Sequence, residues 1–437
     1  MTRRSPWFVL VLLWGCGAQP VPSAATGGGG TIGGKADGAG RAGDVLSTDL
    51  SIDLATHEAR AVVTVAGEAR LEAQGLEVRS VNGPEGPLPF EVSEGILSVA
   101  STSEGDPVAL TIEYSFADRS SGFEGWLPGT GVTFLWPYFC GNLFPCNSEP
   151  ADGLRFTLAV TGVPEGSTAV YPEHISADAP PYMLALAVGR YRYRELGRTA
   201  AGTRVGVYYF WGETEAATRG TQDLVGVFDF LESTYGAYAY GDDVASVSAR
   251  WGEGAVGGME HHPYWHVASA AMDDAETHAH EAAHGWYGNG VRIRCWEDFV
   301  LSEGVTSYLA ARALSHVGGE TARQAVWRDY RARLRSAVSE GDTPAWPEDA
   351  CNSIELLHHP VWSDIPYMKG AFFMRAVEQQ VGIEALDAVL ARFYGEHVGG
   401  EAAGMQDLID AIAEDTGFDA AALAEAWLRQ TGIPDGG

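Results

Sequence analysis

His280-Glu281-Ala282-Ala283-His284 is the stretch on which the reading of this chain turns. Two histidines four apart on a helix stand one above the other on one face, so both imidazoles can reach a single cation. Glu281 is offset by about a third of a turn, near enough to touch a water on that cation without ligating it. A zinc ion that keeps a position open for water and substrate needs a third protein ligand. Glu303 is the candidate: residues 285–302 are enough chain for the tail of one helix, a turn and the start of another alongside. An amphipathic helix with two solvated histidines would show the same five residues, so the flanking chain has to decide.

Two flanking segments do so. His284-Gly285-Trp286-Tyr287-Gly288-Asn289 and Trp296-Glu297-Asp298-Phe299-Val300-Leu301-Ser302-Glu303-Gly304 resemble the aminopeptidase N family of zinc peptidases. In that family H-E-x-x-H-x-W-[FY]-G-N precedes W-x-D-x-x-L-[NS]-E-G. The resemblance implies an α+β multidomain fold. An N-terminal antiparallel β-sandwich or saddle domain would precede a thermolysin-like, mainly α-helical zinc peptidase domain of the gluzincin type. It also implies release of N-terminal amino acids from peptides, with one zinc per chain on His280, His284 and Glu303 and Glu281 as the general base.

Further segments extend the resemblance. Gly257-Gly258-Met259-Glu260-His261 is similar to the family's G-x-M-E-N. By that likeness Gly257, Gly258, Met259 and Glu260 bind substrate: Glu260 takes the free α-amine, and the Gly257-Gly258 backbone pairs with the peptide as an added strand. A carboxylate at a fixed distance from the metal selects the first peptide bond. His261 stands where the family has Asn, and His262 and His266 have no assigned role. Pro366-Tyr367-Met368-Lys369-Gly370 resembles Y-x-K-G, whose tyrosine donates to the oxyanion as charge forms there. Phe144-Pro145-Cys146-Asn147-Ser148-Glu149-Pro150 resembles F-P-C-x-D-E-P, and Tyr182 to Gly189 resembles the strand Y-L-L-A-x-x-V-G. Trp427 to Pro434 resembles the close of the catalytic domain, beyond which larger relatives continue into an α-helical domain. A more open cleft is the expectation here.

One departure sets up a second reading. Just upstream of F-P-C the family carries Gln and Glu that help hold the amine; here the region is Phe134-Leu135-Trp136-Pro137. Trp136 cannot accept from an ammonium as a carboxylate would, although its ring face attracts one. The alternative is therefore a zinc endopeptidase or a peptidase with relaxed amine recognition. A non-catalytic zinc-binding surface protein is the third reading, against which all three ligands, Glu281 and Tyr367 are retained.

The remaining signals bound the class. With 437 residues and 46% apolar side chains, the chain can bury a large core in two or three domains. A net charge of −30 argues against a nucleic-acid surface and against binding anionic lipid through protein charge. Residues 1–16 read as an export signal, with Arg3 and Arg4 before an apolar run from Trp7 to Trp14 too short to span a bilayer. Leu13-Trp14-Gly15-Cys16 resembles a bacterial lipoprotein signal-peptidase site. The expectation is a cell-envelope lipoprotein anchored through Cys16, with simple secretion as the alternative. Residues 17–44 read as a Gly-rich flexible tether.

Without Cys16, four cysteines remain for an oxidising compartment. Three pairings are open; the one we expect is Cys140–Cys146 with Cys295–Cys351. From 45 to 198 the chain alternates apolar and polar residues, as in Leu50, Ile52, Leu54 and in Val108, Leu110, Ile112, Tyr114, which implies a β-rich N-terminal domain. From 199 to 437 the periodicity is mainly helical, beginning with Leu224, Phe228, Leu231 and Tyr235, and this half is the expected catalytic domain.

Overall fold

The alternating residues of the first half build a seven-stranded sheet. Its strand order is His174–Ala179, Leu154–Thr161, Asp44–Asp53, Glu58–Ala66, Val108–Phe116, Leu76–Gly83, Gly86–Pro87. The computed structural model describes residues 43–100, 106–120, 124–251, 257–348 and 351–434. The expected signal peptide, Cys16 and the tether up to residue 42 lie outside the described residues.

Period-two patterning puts Leu50, Ile52, Ala61, Val63, Leu110, Ile112, Phe156 and Leu158 on the buried face, as half-exposed strands require. The pairing is antiparallel except where Leu50 lies beside Leu158, since Asp44–Asp53 runs parallel to Leu154–Thr161. The strand begins at Asp44, one residue inside the range expected for the tether. Two smaller sheets complete this half, and a bridge from Glu72 to Cys146 ties one of them to the loop closed by the Cys140–Cys146 disulfide. Tyr182 to Gly189 is not one strand: Pro181 starts a short 3-10 turn through Met183, and only Ala187–Gly189 is extended. Proline lacks the N–H that a ladder needs at that point.

The second half opens with a five-stranded mixed sheet in the order Arg192–Arg198, Arg204–Tyr209, Asp243–Ala249, His266–Ala268, Gly258–Met259. The boundary expected at 198 therefore moves: Arg192–Arg198 pairs with Arg204–Tyr209 and belongs to this sheet. Three helices pack beside it and carry the site. The histidine helix spans Ala275–Ala283, the long helix Phe299–Glu340, and the tyrosine helix Asp364–Val381. The long helix is interrupted at Gly319, whose φ of 67° is left-handed. Asp274 caps the histidine helix by accepting from the backbone N–H groups of Glu276 and Thr277. Ser363 does the same for the tyrosine helix at Ile365.

The long and tyrosine helices touch backbone to backbone at Gly304 and Gly370. A methyl on Gly370 would lie 2.5 Å from the Cα of Gly304. Only glycine on both sides permits that approach, and it brings Tyr367 and Glu303 to one place. A second disulfide, Cys295–Cys351, joins the turn before the long helix to the loop after it. That loop also hangs on Glu297, whose carboxylate accepts from the backbone N–H groups of Asn352, Ser353 and Ile354.

Candidate metal centre and active site

His280 and His284 project from the histidine helix toward Glu303 on the long helix, and all three are buried. The Nε2 atoms of the two histidines lie 3.1 Å apart, and Glu303 Oε2 lies 3.1 Å from His280 Nε2 and 3.3 Å from His284 Nε2. Donors about 2.0 Å from a common centre at tetrahedral angles stand roughly 3.3 Å apart, so this triangle fits one zinc ion. The ring of His284 is oriented for the task. Its Nδ1 lies 3.0 Å from the carbonyl oxygen of Tyr287, which only accepts, so Nδ1 donates there and Nε2 is the nitrogen left to face a metal. Thr306 Oγ1 donates to the same carbonyl at 2.9 Å.

The electrostatics draw positive charge to the point between the three donors. Burial alone would lower the pKa of His284, but Glu303 and then Glu260 outweigh it and hold it at about 10. Burial would raise Glu303, yet the charge of His284 and hydrogen bonds from both histidines hold it at about 2. Beyond the triangle, Gly288 adopts a φ of +97°, and a Cβ there would lie 2.5 Å from His284 Nδ1. The family-like glycine is thus required both for the turn and for the room.

Glu281 reaches a different neighbour. Its carboxylate lies against Gly258, where a Cβ would sit 2.3 Å from Oε1. The carboxylates of Glu281 and Glu260 and a ring nitrogen of His284 fall within 4.8 Å of one another. Burial pushes Glu281 well above the ordinary carboxylate range, and Glu260 is raised for the same reason. Glu260 accepts a hydrogen bond from the Tyr182 hydroxyl, and its backbone carbonyl accepts from Asn289 Nδ2 at 2.6 Å.

Tyr367 stands over the metal triangle with its ring stacked on His280, 5.7 Å between centroids, and Phe299 edge-on behind it at 5.8 Å. Burial, then Glu303 and Glu260, push its hydroxyl well above the usual phenol value, so it is a donor. One cleft is lined by Gly257, Gly258, Met259, Glu260, His280, Glu281, His284, Glu303 and Tyr367, so every site residue expected from the sequence faces the same space.

Several lining or supporting groups have contacts that the sequence did not specify. Trp136 lies in the cleft wall packed on Trp362, ring centroids 4.6 Å apart. Arg333 lines the far side and reaches Glu276 and Asp364, at the N-terminal ends of the histidine and tyrosine helices. His261 faces His266 across 3.0 Å between their Nδ1 atoms, and His262 contacts both Tyr238 and Glu281. The adjacent histidines of His261-His262-Pro263 were the available cue, but spacing alone says nothing of what each ring meets.

Comparisons with known proteins agree with this arrangement. Residues 261–427 match the model of the Peptidase family M1 domain. The chain is 25% identical to aminopeptidase N of Lactococcus lactis subsp. cremoris over 442 aligned residues, covering 88% of this chain and 50% of that protein. It is 25% identical to leucine aminopeptidase 2 of Neurospora crassa, covering 73% of this chain and 51% of that one. The chain thus spans about half the length of these relatives. Among solved structures, an M1 zinc metallopeptidase mutant from Deinococcus radiodurans superposes with a TM-score of 0.75 at 19% identity, over 90% of this chain and 96% of that one. Yeast LTA4 hydrolase superposes with a TM-score of 0.76 at 19% identity, over 90% of this chain and 68% of that one. These likenesses establish the two-domain fold.

Proposed function

We propose that this chain, whose catalytic half carries a peptidase family M1 domain, is a zinc aminopeptidase that releases N-terminal residues from peptides. The observation that carries the reading is the buried triangle of His280, His284 and Glu303 with Glu281 and Glu260 on one side and Tyr367 on the other.

In this reading a bound zinc supplies Lewis acidity toward a carbonyl oxygen and toward water. His284, fixed by Tyr287, and His280 and Glu303 hold it. Glu260 pairs with the ammonium of the substrate and halts the peptide there. Gly258–Met259 is the edge strand of its sheet and offers backbone groups to an extended peptide. Glu281, beside that edge, takes the proton of the attacking water and passes it to the leaving nitrogen. Tyr367, kept protonated, donates to the oxygen on which negative charge grows. The test is a comparison of aminoacyl-arylamides with their N-acetylated counterparts. Preference for the free amine is expected, and equal rates would contradict the aminopeptidase claim.

A second reading, relaxed amine recognition or endopeptidase action, is favoured by Trp136, an aromatic residue in the cleft wall that the family resemblance aligns with the region of the amine-holding Gln and Glu. The same comparison separates the two. We further propose export and lipid attachment at Cys16. The two disulfides support an oxidising compartment. Mass spectrometry of the mature N-terminus checks it, and an unprocessed Met1 would refute it.

A further inference from the structure

His262 is fully buried between the strand that leads to Glu260 and the end of the histidine helix. Its Nε2 lies 2.7 Å from the backbone carbonyl oxygen of Glu281. A carbonyl only accepts, so Nε2 carries the proton and donates. In a neutral buried ring the other nitrogen is then a bare lone pair, and the Tyr238 hydroxyl, 2.7 Å from Nδ1, donates to it.

The carbonyl involved is one that the helix leaves open. Glu281 sits in the last turn, and the N–H that would continue the ladder, that of Gly285, turns instead to Ala282. The ring of His262 supplies the missing donor. On the strand side, the backbone carbonyl of Glu260 accepts from the His262 N–H at 2.9 Å and from Asn289 Nδ2 at 2.6 Å. The residue after Glu260's neighbour is therefore bonded to both sides of the gap between the two carboxylates. The two carboxylates and a ring nitrogen of His284 lie within 4.8 Å of one another, and a Cβ on Gly258 would sit 2.3 Å from the Glu281 carboxylate.

We propose that His262 is a positioning residue that fixes the distance between the Glu260 and Glu281 carboxylates. It thereby sets how far from the amine the attacked bond must lie. The inference rests on the aminopeptidase reading and goes beyond it, because it assigns the amine selectivity to a residue that touches no substrate.

The test uses the full chain with zinc bound. His262→Phe keeps an aromatic ring without the N–H, and His262→Gln offers an amide N–H in place of Nε2–H. For each, zinc content, kcat and KM are measured on an aminoacyl-arylamide and on its N-acetylated form. A misplacement near 1 Å costs up to about a hundredfold, so kcat/KM of His262→Phe on the free amine should fall roughly ten- to a hundredfold. Zinc stays bound, the blocked substrate is little affected, and the selectivity ratio collapses. His262→Gln should recover most of that ratio.

Equal loss on both substrates, or equal loss in Phe and Gln variants, would make His262 a structural residue only and overturn the inference. Should His262→Phe fail to fold, Tyr238→Phe removes the donor that holds the tautomer. Selective loss there supports the proposal and an unchanged ratio overturns it. If the wild type itself cleaves blocked and free substrates alike, the aminopeptidase reading fails. The positioning claim is then judged on imidazole nitrogen NMR, where a proton on Nδ1 of His262 would refute it.

Discussion

Glu281 rests its carboxylate on the bare backbone of Gly258, where burial and the nearby acids Glu260 and Glu303 outweigh the pull of His284 and raise its proton affinity. Glu281→Gln keeps the shape and cannot take the proton. It should keep its zinc and lose kcat by roughly 10²- to 10⁴-fold; near-normal turnover would remove Glu281 as the base. Tyr367→Phe leaves the ring on His280 and removes the donor. We expect kcat to fall about 10²- to 10³-fold with KM nearly unchanged. A raised KM with normal kcat would make Tyr367 a substrate-binding residue instead.

His261 and His266 act on stability rather than on chemistry. Burial holds His266 down at about 3 and His261 well below its ordinary value, so neither takes a proton in the folded protein. The unfolded chain takes both near pH 6.5. Their contribution is therefore present above about pH 6.5 and lost as pH falls toward 3. Asp152 works the other way: burial, then Asp44, raises it to about 8, so its contribution is lost as pH rises from its ordinary value toward 8. Urea midpoints of the wild type and His266→Gln across acidic pH isolate the histidine. The variant should show the shallower decline, and parallel curves would contradict the assignment.

At the scale of elements, the crossing of the long and tyrosine helices is what brings Glu303 and Tyr367 together. Gly370→Ala would drive a methyl into the Gly304 backbone. The helices must separate, at a cost of about 1–3 kcal/mol. Urea unfolding should show that loss together with a reduced kcat, since Tyr367 rides on the displaced helix; unchanged stability would mean that the contact is not tight.

The helices themselves were legible, because Leu224, Phe228, Leu231 and Tyr235 repeat at the helical period and the element found is Leu224–Tyr235. For the site, the i, i+4 histidines carry their geometry with them, whereas Glu260 and Tyr367 were named only through the family resemblance. Other features were not legible. Arg192–Arg198 alternates as any strand does, and nothing local says which of two sheets it joins. The parallel neighbour of Asp44–Asp53 comes from residues more than a hundred positions later in the chain, as the 108-residue separation of Thr157 from Asp49 shows. His262 was visible as a residue but not as a donor, because its partner is a backbone carbonyl that carries no sequence identity.

Over the whole molecule, the two halves are joined by groups that the strand and helix patterns do not reveal. Buried Arg292, in the second half, donates to the carbonyl oxygen of Asp178 at 3.2 Å in the first half and to that of Gly400 at 2.6 Å among the last helices. Tyr138 accepts from the Leu356 N–H at 2.8 Å across the same boundary. The cleft wall therefore takes Trp136 from the β-rich half and everything that would hold the metal from the helical half. Among the described residues no helix is long and apolar enough to cross a membrane.

Convergence of His280, His284 and Glu303 on one divalent ion is the claim on which the chemistry depends. Metal analysis of the purified chain beside His284→Ala tests it directly. The account predicts one zinc per wild-type chain, loss of metal and activity together in the variant, and recovery of the chelated wild type when zinc is restored. A wild-type chain without stoichiometric metal, or a variant that keeps its zinc, would contradict it.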